Sequence, residues 1–371
     1  AGDGGTLAIS SNNQIVLDGT VDAGAGGQNA FGGTLDIMLE GTFASGETDA
    51  HPLRTVTIGA ERSTAEDASG HGRMVLGVDQ IEAGGYDSLS IWARDEIRFE
   101  GDVDLALGRS INLSHGIFSL SQNTLDASVN IAAPYIRFGG RGRQPVSPGS
   151  DSGSNSGYFP GLNDSDHVGS ALLDPDSRFV AEADLIDIVD GATIFGGKSE
   201  RDTGVSGSTE VELPGFASVD LISSGDMRFT DGGLVAQREL TLTAERLYPT
   251  THTAGIIQVG VGPEGSRGEA EEDAVIRFRR YGSGELATPH SVFGKLLIFA
   301  PKVEQGGALF APLGTISFGT GVNERIEAIF PSYLFRYPVS EVTLQAGSLT
   351  SLSAEGLVLP YGGTVDGIQY R

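Results

Sequence analysis

Four charged residues stand two apart in the stretch ARDEIRFEGDVD: Arg98, Glu100, Asp102 and Asp104. In an extended strand alternate side chains share a face, so this spacing predicts three carboxylates and a guanidinium along one outer face. Polysaccharide lyases and glycosidases built on stacked strands use acidic clusters of this kind. Glycoside hydrolysis needs two carboxylates roughly 5–10 Å apart, and positions two apart in a strand meet that requirement. Any acidic strand meets it equally. A solvated charged face is therefore the plainer reading.

A second group could hold a cation. The run LNDSDHVG offers Asn163, Asp164 and Asp166 in one loop, with Asp151, Asp174 and Asp176 flanking it. Hard oxygen donors in a flexible loop suit Ca2+. Val168 stands where an EF-hand needs its next ligand, and no glutamate closes the loop, so that motif is excluded. The repeated nonapeptide of calcium β-rolls is absent too. A calcium ion on these three residues and an unliganded polar loop stay open as readings. No other cofactor is expected.

Aromatic residues form the third group. Phe330, Tyr333, Phe335 and Tyr337 cluster in one segment. They offer either a sugar-stacking platform or an anchor that pins the segment to the body of the protein. Tyr158 and Phe159 lie among serines and glycines, where packing explains them poorly, and they are the better contact surface. The expected ligand contacts are Tyr158, Phe159, Tyr333 and Tyr337. The six histidines, His51, His71, His115, His167, His252 and His290, are dispersed, and none is paired at metal-ligand spacing. No G-x-S-x-G, H-E-x-x-H or P-loop appears. The stretch GVGPEGSRG (260–268) lacks the Lys-Ser/Thr that a nucleotide loop requires.

The elements that must position these groups are strands. Glycine supplies 55 of 371 residues without a G-X-Y period, which excludes collagen and implies many turns. Cysteine is absent, so disulfide scaffolds, zinc ribbons and thiol enzymes are excluded. With Lys+Arg 24 against Asp+Glu 49, the charge of −25 repels nucleic acid and anionic membranes. No apolar run is long enough to cross a bilayer as a helix, and no membrane insertion is expected. The opening AGDGGTLAIS begins inside a strand pattern without a signal peptide, so a mature fragment of something longer is expected.

Strand-like alternation recurs throughout, bounded by Gly, Asn, Asp and Ser. Leu89, Ile91, Ile97, Phe99, Val103, Leu105, Leu107, Ile111 and Leu113 fall on alternating positions. The phrase SIWARDEIRFEG (90–101) returns as NIAAPYIRFGG (130–140), DLISSGDMRFTDGG (220–233) and, in part, AVIRFRRYGSG (274–284). Short strands one turn apart with no helices between them leave a sandwich, a propeller or a parallel β-helix. The loose recurrence favours the last, in which each coil makes the same corner. Ile97, Ile136 and Met227, with Phe99, Phe138 and Phe229, would then point inward. Residues 141–178, 249–274 and 323–338 break the rhythm and read as loop insertions, the last with a short helical turn.

The phrases GALFAPLGTISFG, LTLTAERLYP (240–249) and LQAGSLTSLSAEGLVLPYGGTVDGIQY (344–370) resemble coil sequences of the filamentous-haemagglutinin family. These are very large bacterial adhesins exported by two-partner secretion. The likeness is closest over the last third of the chain, and its motifs are repeats. The family's N-terminal secretion domain, with Asn-Pro-Asn-type motifs, is absent. The resemblance implies a secreted or cell-surface place on a Gram-negative bacterium and an outer-membrane transporter as export partner. It also implies adhesion, biofilm or cell–cell contact through a host or bacterial receptor or polysaccharide.

The combined expectation is an all-β, right-handed parallel β-helix (solenoid) with surface loop insertions, forming one domain over 1–371. It would be a non-enzymatic, rigid segment of a large secreted adhesin. The alternative is a β-helical carbohydrate-active enzyme, a polysaccharide lyase or glycoside hydrolase. That alternative requires acids converging in one groove, whereas here they are spread from Asp3 to Asp366.

Overall fold

The computed structural model describes residues 2–40, 53–61, 72–140, 172–202, 208–260, 273–319 and 339–359, with two short strands at 364–365 and 368–369. The fold is all-β with long parallel sheets. One sheet has 13 strands, a second has 8 and a third has 4. Every pairing within them is parallel, and the antiparallel pairs are two hairpins, Gly197–Asp202 with Ser208–Leu213 and Thr364–Val365 with Ile368–Gln369. Parallel neighbours cannot be joined by a tight turn. Here the chain instead leaves for another sheet and returns one rung along, so Ser88 and Ser110 are neighbours across 22 residues and Asp226 and Arg246 across 20.

The order of visits is regular. From the second sheet the chain passes to the first, as Arg178–Ala183 leads into Leu185–Ile194 and Ser218–Ser223 into Asp226–Ala236. Those two first-sheet strands then bend at Asp190 and Asp231, and their far halves pair onward with Ala254–Val259, Lys295–Phe299 and Thr315–Phe318. A bridge from Phe118 to Phe195 joins this branch to the third sheet, which runs Arg73–Gly77, Thr55–Gly59, Glu96–Glu100, Ile117–Leu120. Among the described residues, six non-glycines have φ between 47° and 77°: His115, Asp190, Asp231, His252, Phe293 and Leu313. All six stand just before a strand of the third sheet or of that branch, so one corner concentrates the left-handed backbone.

Inward residues stack in register. Leu35, Leu89, Ile111, Ile136, Ile186, Met227 and Leu247 form one row across seven strands. None is more than 3% exposed. Burying each such side chain contributes about 1.5–3 kcal/mol. Six phenylalanines from all three sheets and their connections, Phe99, Phe118, Phe138, Phe179, Phe195 and Phe216, meet in the interior. Their centroids lie from 5.1 Å (Phe179–Phe195) to 6.4 Å (Phe195–Phe216) apart. One hydrophobic cluster runs from Ile15 to Leu309, so the sheets share a core. The alternating positions foreseen over 89–113 are all buried, as are Ile136, Phe138, Met227 and Phe229.

The recurring phrase does not mark one corner. Residues 130–140 and 220–233 pass from the second sheet to the first, but 90–101 passes from the first to the third, and Val275–Arg280 lies within the second sheet. Ile-x-Phe alternation suits any inward strand, so the same letters serve different sheets. The expected insertion at 249–274 is also narrower, because Ala254–Val259 is a buried strand. Residues 323–338 lie outside the described residues. A six-residue helix, Val78–Ala83, was not foreseen; it packs beside Val103–Ala106, the terminal strand of the second sheet. At one point the first sheet skips a rung. Residues 281–294 form no strand, and Arg246–Pro249 meets Ala308–Phe310 through the single pair Leu247–Leu309.

Candidate functional site

Outward positions of a parallel sheet line up as rows, because register is constant from strand to strand. On the first sheet one row reads Asp36, Ser90, Asn112, Arg137, Asp187, Arg228 and Tyr248. Arg228 grips Asp187 in a fork, with Nε and Nη2 both at 2.7 Å. The Tyr135 hydroxyl donates to the same carboxylate at 2.9 Å. Arg137 donates to Asn112 at 3.2 Å and to Asp190 at 2.8 Å, and Asn112 donates to Ser90 at 3.3 Å. One rung on, Arg246 repeats the fork on Asp226 at 2.7 and 2.8 Å, and the Tyr248 hydroxyl donates to Asp226 at 2.8 Å. Charge-assisted, two-point bonds of this kind fix geometry as well as adding energy.

Burial shapes the protonation of this row. Desolvation first, and then the charge of Asp187 and the bond to it, push the Tyr135 hydroxyl from 10.0 to about 12. The same causes, with Asp226 as partner, raise Tyr248 further. Both phenols therefore stay protonated donors.

The other sheets show the same logic. On the second, Arg277 lies 2.8 Å from Glu239 on one neighbour and 3.5 Å from Glu304 on the other, and Arg279 lies 3.0 Å from Glu304. The Arg279 hydrogen bond is the main reason the Glu304 carboxyl titrates below its ordinary value. On the third, Glu96 is fully buried and receives bonds from Arg98 at 2.9 and 2.7 Å, from Thr55 at 2.8 Å and from Ser119. It ties three strands together. A buried carboxylate needs such partners; sequence reading missed Glu96, although Arg98 two residues on could have pointed to it.

The acidic stretch therefore divides. Arg98 is engaged by Glu96 and not by the outer acids. Glu100 ends a strand of the third sheet and Asp104 lies in one of the second, with Gly101 turning between them at φ 69°. They do not share a strand face, which corrects the expectation. Glu100, Asp102 and Asp104 are exposed, and Asp102 accepts the Ser128 amide at 2.8 Å. Tyr158, Phe159, Tyr333 and Tyr337, with Asn163, Asp164 and Asp166, lie outside the described residues. Of the flanking acids, Asp174 caps its own turn, accepting the Asp176 amide at 2.9 Å. No group of three metal-ligating side chains occurs among the described residues. His115 bonds the Arg94 carbonyl at 2.9 Å and packs on Trp92, while His252 stacks on Phe293 at 5.0 Å.

A shallow groove of about 410 Å³ follows the corner between the second and first sheets. Ala106, Ala132, Ala133 and Pro134 line it together with Glu182, Asp184, Ser224 and Tyr281. Sequence reading missed it, because its residues come from five separate segments. No family model, curated protein or solved structure matches the chain.

Proposed function

We propose that this chain is a right-handed parallel β-helix and serves as a rigid, non-enzymatic shaft of a large secreted bacterial adhesin. The observation that carries this reading is the cross-strand pairing of outward charges. Asp187, Asp226, Glu239 and Glu304 are each held by an arginine on a neighbouring strand. Carboxylates committed in this way lock one coil to the next and are poor acids or bases for a substrate. Repeat architectures derive their rigidity from such neighbour-to-neighbour contacts. The segments that contact a receptor would be the long insertions, with export through an outer-membrane transporter as the sequence resemblance implies.

The test is to display the chain on a non-adherent bacterium and score attachment to cells and biofilm matrix, beside incubation of the purified protein with polysaccharides. Attachment that falls when 141–171 is deleted, with no release of reducing ends, supports the shaft. Sustained release of reducing ends or unsaturated uronides would replace it with a β-helical carbohydrate-active enzyme.

A further inference from the structure

The groove at the corner between the second and first sheets is lined by none of the arginine–carboxylate pairs described above. Its outer row runs Ala106, Ala132, Glu182, Ile222 and Thr243, in register across five neighbouring strands. Tyr281 stands one rung beyond, its amide bonded to the Ala244 carbonyl at 2.9 Å. At 4.8 Å per rung the groove is about 24 Å long, so it is elongated and shallow. Tyr281 is 45% exposed and lies where the coil abandons the first sheet. At that exposure a large part of its surface is open to a ligand.

We propose that this groove binds an extended, uncharged glycan chain, with Tyr281 as the stacking platform. The reading deepens the shaft function and rests on it. The alanine methyls and the methylenes of Pro134 offer small apolar surfaces for a pyranose ring to lie against. Hydrogen-bonding groups line the edge at Glu182, Asp184 and Ser224, and Ser224 donates to Asp184 at 2.8 Å, leaving the second carboxylate oxygen for sugar hydroxyls. An aromatic body with polar neighbours is the combination that takes up a sugar's apolar face and its hydroxyls together. The charge of −25, with two carboxylates at the groove itself, disfavours nucleic acid and acidic polysaccharides. A folded protein partner fits poorly, because a narrow groove offers far less than the roughly 800 Å² per partner that a stable complex buries.

The experiment is calorimetric titration of the whole chain with neutral hexasaccharides: β-1,4-glucose, β-1,4-N-acetylglucosamine, β-1,4-mannose and α-1,4-glucose. Polygalacturonate is the acidic control. At least one neutral chain should bind saturably, and Tyr281→Ala should weaken it at least tenfold with an unchanged melting temperature. Ala132→Trp, which fills the groove from an outward position, should block binding equally. The proposal is overturned if no neutral hexasaccharide binds, if both variants bind like the parent, or if polygalacturonate binds as tightly. Cleavage of a bound glycan would overturn the shaft reading, while loss of binding in both variants would still place the sugar in this groove.

Discussion

Arg228 and Asp187 sit side by side on neighbouring parallel strands, 41 residues apart in sequence, joined by two hydrogen bonds of 2.7 Å. Their side chains are 32% and 11% exposed, so the pair is half withdrawn from water. Removing one partner of a dry ion pair costs about 3–5 kcal/mol, and the partial exposure of Arg228 lowers the expectation to about 2 kcal/mol for Arg228→Ala. Urea melts measure it. Adding Asp187→Asn should cost little more, since the stranded charge is then gone. Equal stability of the parent and Arg228→Ala would show that the row does not tie the coils.

Phe99 and Phe229 are fully buried. Phe99→Ala or Phe229→Ala should destabilise by roughly 3–5 kcal/mol, as large-to-small changes in packed interiors do. An unchanged urea midpoint would refute the shared core.

Alkaline pH should weaken the fold through Tyr135. Its folded-state pKa is raised to about 12 from 10.0, so the folded protein holds the proton more tightly than the unfolded chain. That stability is fully present below pH 10 and is lost as pH rises toward 12. Tyr135→Phe should flatten this part of the stability curve between pH 9.5 and 12, as read by thermal melts at stepped pH. Parallel curves for both proteins would contradict the assignment.

The outer acids should be dispensable for folding. Glu100 and Asp104 are exposed, and their contribution to the ladders is through the backbone. Glu100→Ala and Asp104→Ala should each stay within about 0.5 kcal/mol of the parent. A loss above 1.5 kcal/mol would give these carboxylates a structural duty.

Leu313 adopts φ 55° while 51% exposed. A left-handed non-glycine residue costs roughly 1–2 kcal/mol, and glycine gives back about 0.5–1 kcal/mol in entropy. Leu313→Gly should therefore raise stability by about 0.5 kcal/mol in chemical melts. A clear fall would mean that the leucine packs.

The inward stacks were legible in the sequence because strand alternation is strictly local: Leu89, Ile91, Ile97 and Phe99 declare their facing without any neighbour. Which sheet a strand joins was not legible. Phe99 and Phe138 carry the same Ile-x-Phe signature yet lie in the third and first sheets. That choice is made by corner geometry, where His115 and Asp190 turn left-handed themselves, each just ahead of a glycine that looks like any other turn glycine in the sequence. The ion-pair rows were equally hidden, since Asp187 and Arg228 become neighbours only after the intervening hairpin is excluded from the coil. The helix Val78–Ala83 was too short for its periodicity to register, although Gln80 signals its start by accepting the Gly77 amide at 3.1 Å.

The skipped rung in the first sheet sets how the molecule would fail under tension. In the β-helix proposed above, stacked coils pulled apart along the stacking direction peel one from the next, and each seam resists in proportion to the bonds that cross it. Most first-sheet seams are bridged by runs of four or more paired residues, but the seam at Leu247–Leu309 holds a single pair. There the second sheet, through Val275–Arg280 and Lys302–Gly306, and the branch strands Ala254–Val259, Lys295–Phe299 and Thr315–Phe318 carry the force that this single pair cannot. Rupture should start at that seam, releasing the coils beyond it before any coil on the Asp187–Arg228 side gives way.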